Sequence, residues 1–190
     1  YQNACVLIEK LGVTLREISI QEAVRNHFKD IGQREDLFDT TYENAQARER
    51  TQVLMDIANM ENGMVIGTGD MSELALGWAT YNGDHMSMYG VNSSIPKTFV
   101  RFIVKHCAVE CEDETLKKAL FDILDTPISP ELLPAKEGEI EQKTEDLVGP
   151  YELHDFYLYY MLRYGYEPSK IYRLARKAFA GVYEDETILK

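Results

Sequence analysis

The sequence predicts an α/β layered domain whose C-terminal half is rich in helix. Three features lead there. An apolar run, Met64-Val65-Ile66, ends at Gly67 and opens through Thr68-Gly69-Asp70 into a segment that sets Leu74, Ala75 and Trp78 on one helical face. Two β-prone runs, at 13–18 and 64–66, stand among many segments of helical period. Helical runs also begin and stop at residues suited to helix ends: Asp39-Thr40-Thr41 before one, Asn62-Gly63 after it, Pro96 and Pro168 in first turns and Gly165 at a close.

In chain order, a helix over 2–11 carries Cys5, Val6, Leu7 and Leu11, and a strand follows at 13–18. A helix from about residue 21 carries Ala23, Val24 and Phe28, and a long one over 42–61 carries Ala47, Val53, Leu54, Ile57 and Ala58. The stretch 81–94 has no sustained period and reads as an ordered loop. Helices then run from Pro96 through Phe99, Ile103 and Val104, and over 116–124. Residues 127–145, with three prolines and Gly138, read as one long loop. After Gly149-Pro150 a helix turns Leu153, Phe156, Tyr157, Tyr160 and Met161 inward, and a last helix spans 170–180. Residues 1–182 thus form one partial domain, and 183–190 are expected to be a frayed tail. With two visible strands, the other strands of the sheet are missing or unread.

A chain of 190 residues can bury one substantial core. Its net charge of −12 argues against a nucleic-acid partner, which needs clustered Lys and Arg, but leaves room for a mononucleotide in a locally positive pocket. No apolar run approaches bilayer length and the N-terminus lacks a signal-peptide pattern, so no membrane partner is expected. Cys5, Cys107 and Cys111 are too few and too unevenly placed for a disulfide framework, which points to the reducing cytoplasm. Tyr1 falls inside a helical segment, so the chain is expected to be a piece of a longer protein.

A strand opening through Gly-Thr-Gly into a helix brings free N–H groups and a helix N-terminus to the carboxyl edge of a sheet, where nucleotides bind. Spacing alone leaves a simpler reading open, with Thr68 and Ser72 as turn and cap residues and Glu73 solvated. Other patterns carry less chemistry. Cys107 and Cys111 beside His106 lack a fourth ligand of suitable spacing for zinc, and fit a buried helix face. Asp84-His85 resembles a general-base pair but is expected to order its loop. His154, with Glu152 and Asp155, is expected to make capping or surface contacts at a helix start. The tyrosines at 157, 159, 160, 164 and 166 suit packing or a subunit contact.

Three segments fall in one order: Asn44-Ala45-Gln46-Ala47-Arg48-Glu49-Arg50, then Gly67 to Trp78 with Ala79-Thr80-Tyr81-Asn82-Gly83-Asp84, then Pro96-Lys97-Thr98. Their wording resembles the ammonia-ligase domain of the NAD synthetases, above all the glutamine-dependent form. There Gly-Thr-Gly-Asp-x-Ser-Glu-Leu-Ala-Leu-Gly-Trp is a hallmark. The resemblance continues through Asp125-Thr126-Pro127-Ile128-Ser129-Pro130-Glu131-Leu132, through residues 144–156 and through Arg163-Tyr164-Gly165-Tyr166, and it covers about 1–180.

The resemblance implies an adenine nucleotide alpha hydrolase-like (Rossmann-like) layered fold and an ATP-dependent ligase. ATP would activate the nicotinate carboxylate of deamido-NAD as an acyl-adenylate, releasing pyrophosphate, and ammonia would displace AMP. The carboxylate is already ionised, so this chemistry needs no enzymic base. In the glutamine-dependent form an N-terminal glutaminase domain supplies the ammonia. Carried over by position, Thr68, Lys97 and Ser129 would contact ATP, and Glu73 and Lys97 would be the catalytic pair. Glu73 would also hold Mg²⁺ or sit beside deamido-NAD. Asn44, Arg48, Trp78, Ala79, Thr80 and Tyr81 would line the deamido-NAD site, with Arg50 an alternative to Arg48. The family forms homo-oligomers through the helix near Asn44.

Two departures limit what this piece is expected to do. The family's Ser-Gly-Gly-x-Asp-Ser phosphate loop lies upstream of the matched region, and its basic Phe-Lys-Arg segment lies downstream. Neither is present in these residues. An alternative reading is therefore a non-catalytic nucleotide-binding or dimerisation module, and another keeps the ATP chemistry with a different acceptor. The 190-residue chain alone is expected to make no NAD from deamido-NAD, ATP and ammonia; product detected in a coupled dehydrogenase assay would overturn that expectation.

Overall fold

The computed structural model describes residues 1–34, 36–83, 85–128 and 144–189. Among them the chain forms α1 (Gln2–Lys10), α2 (Gln21–Ile31), α3 (Thr40–Met60), β1 (Ile66–Gly67), α4 (Met71–Leu76), β2 (Tyr89–Gly90), α5 (Lys97–Glu110), α6 (Glu114–Asp125), α7 (Thr144–Val148), α8 (Tyr151–Tyr164), α9 (Pro168–Ala178) and α10 (Asp185–Leu189).

Short-range chemistry sets the helix ends. Asp39 caps α3 by accepting from the Tyr42 N–H at 3.0 Å, and Asp113 caps α6 by accepting from the Thr115 and Leu116 N–H groups at 2.9 and 3.0 Å. Gly165 closes α8 with φ of 63°, a left-handed conformation that suits glycine. Both proline entries hold: Pro96 precedes α5, and Pro168 opens α9.

The two strands pair in parallel, with Ile66 opposite Tyr89 and Gly67 opposite Gly90. Because α4 lies between them in the chain, the unit is a strand–helix–strand crossover. This ladder differs from expectation in three ways. The run 13–18 is not a strand: Val13, Leu15 and Ile18 are exposed, and without a neighbouring strand their β propensity is unrealised. The strand expected at 64–66 sits later, at Ile66–Gly67. A second strand, Tyr89–Gly90, lies inside the stretch read as a loop, since two residues are too few to show a period.

Packing centres on α8, which touches α4, α5 and α9. Leu153 of α8, Ala175 of α9 and Ile188 of α10 form one buried cluster, bordered by Phe156, Tyr157, Phe179 and Tyr183. Val24, Phe28 and Ala45 form another between α2 and α3. Helix α6 packs on α1 and α5, and Lys10 reaches Asp113 at 2.7 Å. On α5 the buried residue is Ala108, whereas Cys107, expected on a buried face, is exposed. The tyrosines at 160, 164 and 166 pack on one another, Tyr160 stacking on Tyr166 with centroids 5.8 Å apart. No helix among the described residues is long and apolar enough to cross a membrane.

The expected frayed tail is instead folded through residue 189. Ile188 is 4% exposed, its carbonyl accepts from the Tyr157 hydroxyl at 2.6 Å, and Asp185 pairs with Arg176. Ile188 and Tyr183 supply the apolar contacts that hold this segment, and these polar ties add to them. Ile188→Ala is expected to lower stability by about 2–4 kcal/mol, read as a reduced urea midpoint, whereas a change below about 0.5 kcal/mol would show the segment undocked.

Candidate active site

The site begins where β1 ends. Gly67 lies so close to Ser87 that a Cβ there would stand 2.3 Å from Ser87 Oγ and 2.7 Å from its Cβ. Past Thr68 and Gly69 the chain enters α4 through a reciprocal cap. Asp70 accepts from the Glu73 N–H at 3.0 Å, and Glu73 accepts from the Asp70 N–H at 3.1 Å. This cap fixes two carboxylates on one turn. Lys97, the first residue of α5, places its ammonium between them, 2.7 Å from Asp70 Oδ2 and in contact with Glu73 Oε1. Only 15% of the Lys97 side-chain surface is exposed.

A second layer holds these elements together. Pro96 offers α5 no side-chain cap, so its first N–H groups find acceptors elsewhere. The Lys97 N–H donates to Ser72 Oγ at 2.9 Å, and the Thr98 N–H donates to Asp155 Oδ2 at 2.8 Å. The Thr98 hydroxyl donates to the same carboxylate oxygen at 2.7 Å, and the Ser72 hydroxyl donates to Asp155 Oδ1. The Met71 N–H reaches the Ile95 carbonyl at 3.0 Å. Below Lys97 lies the Tyr151 ring, its centroid 5.4 Å from the ammonium, close enough for a cation–π contact. The buried Tyr151 hydroxyl has no hydrogen-bond partner among the described residues, and burial pushes its pKa up to about 12.

Thr68, Glu73 and Lys97 thus belong to one strand–turn–helix neighbourhood, Glu73 and Lys97 in direct contact. Thr68 is exposed, and its carbonyl accepts from Asn92 Nδ2 at 3.3 Å. The other group gathers on α3 and the exit loop of α4. Arg48 Nε donates to the Tyr81 carbonyl at 3.2 Å, and Asn44 lies one turn before it on the same face. A Cβ on Gly83 would stand 3.0 Å from Ala47 Cβ, so this loop lies against α3. Trp78 and Thr80 are half-buried there, Ala79 and Tyr81 exposed. His85 Nδ1 sits 2.9 Å from the Thr80 carbonyl, a loop-ordering contact. Ser129 and Asp84 lie outside the described residues.

Asp70, Ser72, Thr98, Tyr151 and Asp155 were missed as site residues. Asp70 had a local signal, an acidic residue three before a glutamate at a helix start. Asp155 is a correction: expected at a capping or surface position, it is 7% exposed and joins three elements. Its neighbour His154 does make the expected end contact, with Nε2 2.6 Å from the Val148 carbonyl. A cavity of about 750 Å³ opens on the far side of Thr98 and Tyr151, lined also by Arg101, Lys105 and Thr126. It does not include Thr68, Glu73 or Lys97.

Among the described residues no group of three or more His, Cys, Asp or Glu side chains forms a ready metal cage. The Asp70 and Glu73 carboxylates converge on the Lys97 ammonium, and with that ammonium turned away they are oxygen donors of the kind Mg²⁺ takes alongside phosphate oxygens.

The architecture defines a class first. Solved proteins sharing this arrangement have the adenine nucleotide alpha hydrolase-like fold. They include the NMN synthetase of Francisella tularensis, 28% identical with a TM-score of 0.64 over 83% of this chain and 59% of that one. The glutamine-dependent NAD(+) synthetase of Cytophaga hutchinsonii is 20% identical with a TM-score of 0.70, over 99% of this chain and 29% of its own. Residues 1–175 match the family model described as NAD synthase, and the chain belongs to that family. The glutamine-dependent NAD(+) synthetase of Mycobacterium leprae is 45% identical over 175 residues, 89% of this chain and 26% of that protein. The chain thus spans about a quarter of the length of such relatives.

Burial draws the Lys97 pKa down, but the Asp70 and Glu73 carboxylates outweigh it, and the value lies above the ordinary 10.5. A folded-state pKa above the unfolded one means the pairing stabilises fully below the unfolded value and is lost as pH climbs through the folded one. Wild type is therefore expected to exceed Lys97→Met in unfolding midpoint near pH 8, with the gap narrowing as pH climbs beyond the ordinary lysine value. A gap independent of pH would show that the ammonium contributes nothing through charge.

Proposed function

We propose that the protein carrying this chain is an ATP-dependent ligase, a glutamine-hydrolysing NAD synthetase that amidates deamido-NAD. The observation that carries this reading is the Asp70–Lys97–Glu73 cluster at the mouth of a strand–turn–helix unit. Family membership and the mycobacterial relative support it. In the proposed reaction the nicotinate carboxylate attacks the α-phosphorus of ATP and pyrophosphate leaves. Ammonia then attacks the acyl carbon and AMP departs.

The residues divide this work. Lys97, at the first position of α5, combines its charge with the positive end of the helix dipole and would turn toward the phosphates. Thr68 would meet ATP from the turn after β1, and Ser129 is a further ATP contact proposed from the resemblance alone. Asp70 and Glu73 would hold Mg²⁺, which when bound offsets charge on the phosphate oxygens. Asn44, Arg48, Trp78, Ala79, Thr80 and Tyr81 would receive deamido-NAD along α3 and the exit loop, Trp78 by stacking on a planar ring. Ammonia would come from a glutaminase domain of the parent protein, and α3 is a proposed contact between copies in a cytoplasmic homo-oligomer.

A second reading keeps the same chemistry with a mononucleotide acceptor, favoured by the likeness to the Francisella NMN synthetase. Assays of the intact protein with deamido-NAD and with its mononucleotide analogue separate the two, and a kcat/KM favouring the mononucleotide would replace the first reading. In the intact protein Glu73→Gln is expected to cut kcat at least tenfold without unfolding. Lys97→Ala is expected to raise the KM for ATP about tenfold or more while leaving that for deamido-NAD within about twofold. Equal losses for both substrates would remove Lys97 from the phosphate site.

A further inference from the structure

We infer that Asp155 is a positioning residue for this chemistry: from α8 its carboxylate sets the distance between the acids of α4 and the lysine of α5. The inference rests on the ligase reading for its kinetic consequences and on geometry for the rest. Asp155 is buried, and no cationic side chain pairs with it among the described residues. Its donors come instead from the first turns of two different helices, Ser72 of α4 on one oxygen and the Thr98 N–H and hydroxyl of α5 on the other. Ser72 directly precedes Glu73, and Thr98 directly follows Lys97. Ser72 Oγ also receives the Lys97 N–H, which closes a loop of hydrogen bonds behind the reacting side chains.

The residue type suits the task. A carboxylate only accepts, and can satisfy several donors at once, whereas an amide keeps one accepting oxygen and would make Ser72 Oγ, which already accepts from the Lys97 N–H, reverse its bond and accept again. A capping role for α5 alone would need only the oxygen that Thr98 uses. The second oxygen, spent on α4, is what registers one helix start against the other. An apolar side chain would pack at lower solvation cost but would leave both helix starts without their shared acceptor.

The test is a double-mutant cycle in the intact protein. Asp155→Asn is expected to lower kcat/KM for ATP about tenfold or more, with the KM for deamido-NAD within about twofold, and to add no further loss in a Lys97→Ala background. A crystal structure of Asp155→Asn is expected to show the Lys97 ammonium out of hydrogen-bond reach of Glu73. Two results would each overturn the inference: a kinetic loss that adds fully to that of Lys97→Ala, or a lowered melting temperature with wild-type kcat, KM and Lys97–Glu73 contact. If Asp155→Asn fails to fold, Ser72→Ala cuts one arm of the same tie and is read the same way. A wild-type protein that makes no NAD sinks the ligase reading instead. The crystal structure then decides the inference, and an unmoved Lys97 overturns it.

Discussion

Helix α5 starts at a proline that cannot cap it, and much of the surrounding structure answers that need. A helix start exposes N–H groups that must be matched, and here Pro96 supplies its carbonyl to Phe99 and Val100 but no side-chain acceptor for Lys97 and Thr98. The acceptors arrive from Ser72 and Asp155, on helices 25 and 57 residues away from α5 in the chain. Meeting a backbone requirement over such separations commits three helices to one arrangement. Glu73 and Lys97 then face each other because their immediate neighbours are tied. The position of the site is a by-product of satisfying backbone polarity.

Charge adds a second layer to the same device. The pairs Lys10–Asp113 and Arg34–Asp36 are exposed enough for water to screen them, and contribute little. The cluster of Asp70, Glu73 and Lys97 is mostly enclosed, and one ammonium serves two carboxylates. That leaves the turn with an excess of negative charge which the aromatic face of Tyr151 does nothing to offset. A phosphate would be repelled by this turn unless a cation or the freed lysine met it, which is the electrostatic demand that a magnesium nucleotide satisfies.

How much of this was legible in the sequence followed the range of the interactions. Helix ends with a local code were readable: Asp39 before α3, Pro168 at the start of α9, Gly165 after α8. The strand–turn–helix at Gly67 to Trp78 was readable from its local pattern, and the family it suggested is the one whose model matches residues 1–175. What escaped depended on partners distant in sequence. The run 13–18 has strand-forming residues but no strand beside it, and Tyr89–Gly90 is a strand only because Ile66–Gly67 lies next to it. Ile188 is buried by Leu153 and Ala175, so its segment reads as a tail until that surface is known. Asp155 was grouped with Glu152 and His154 as capping or surface contacts of its own helix start, because nothing nearby reveals the two other helix starts that aim at it.

The seam between Gly67 and Ser87 limits which side chains this chain can carry there. A methyl group on residue 67 would fall inside the van der Waals shell of both outer atoms of Ser87, one of which is fixed to the backbone. Rotating the serine clears only the hydroxyl. Bulk on both sides of this seam therefore forces the two segments apart. Alanine at 67 therefore calls for glycine at 87 or a displaced backbone there, so a Gly67→Ala change and a Ser87→Gly change are sterically coupled.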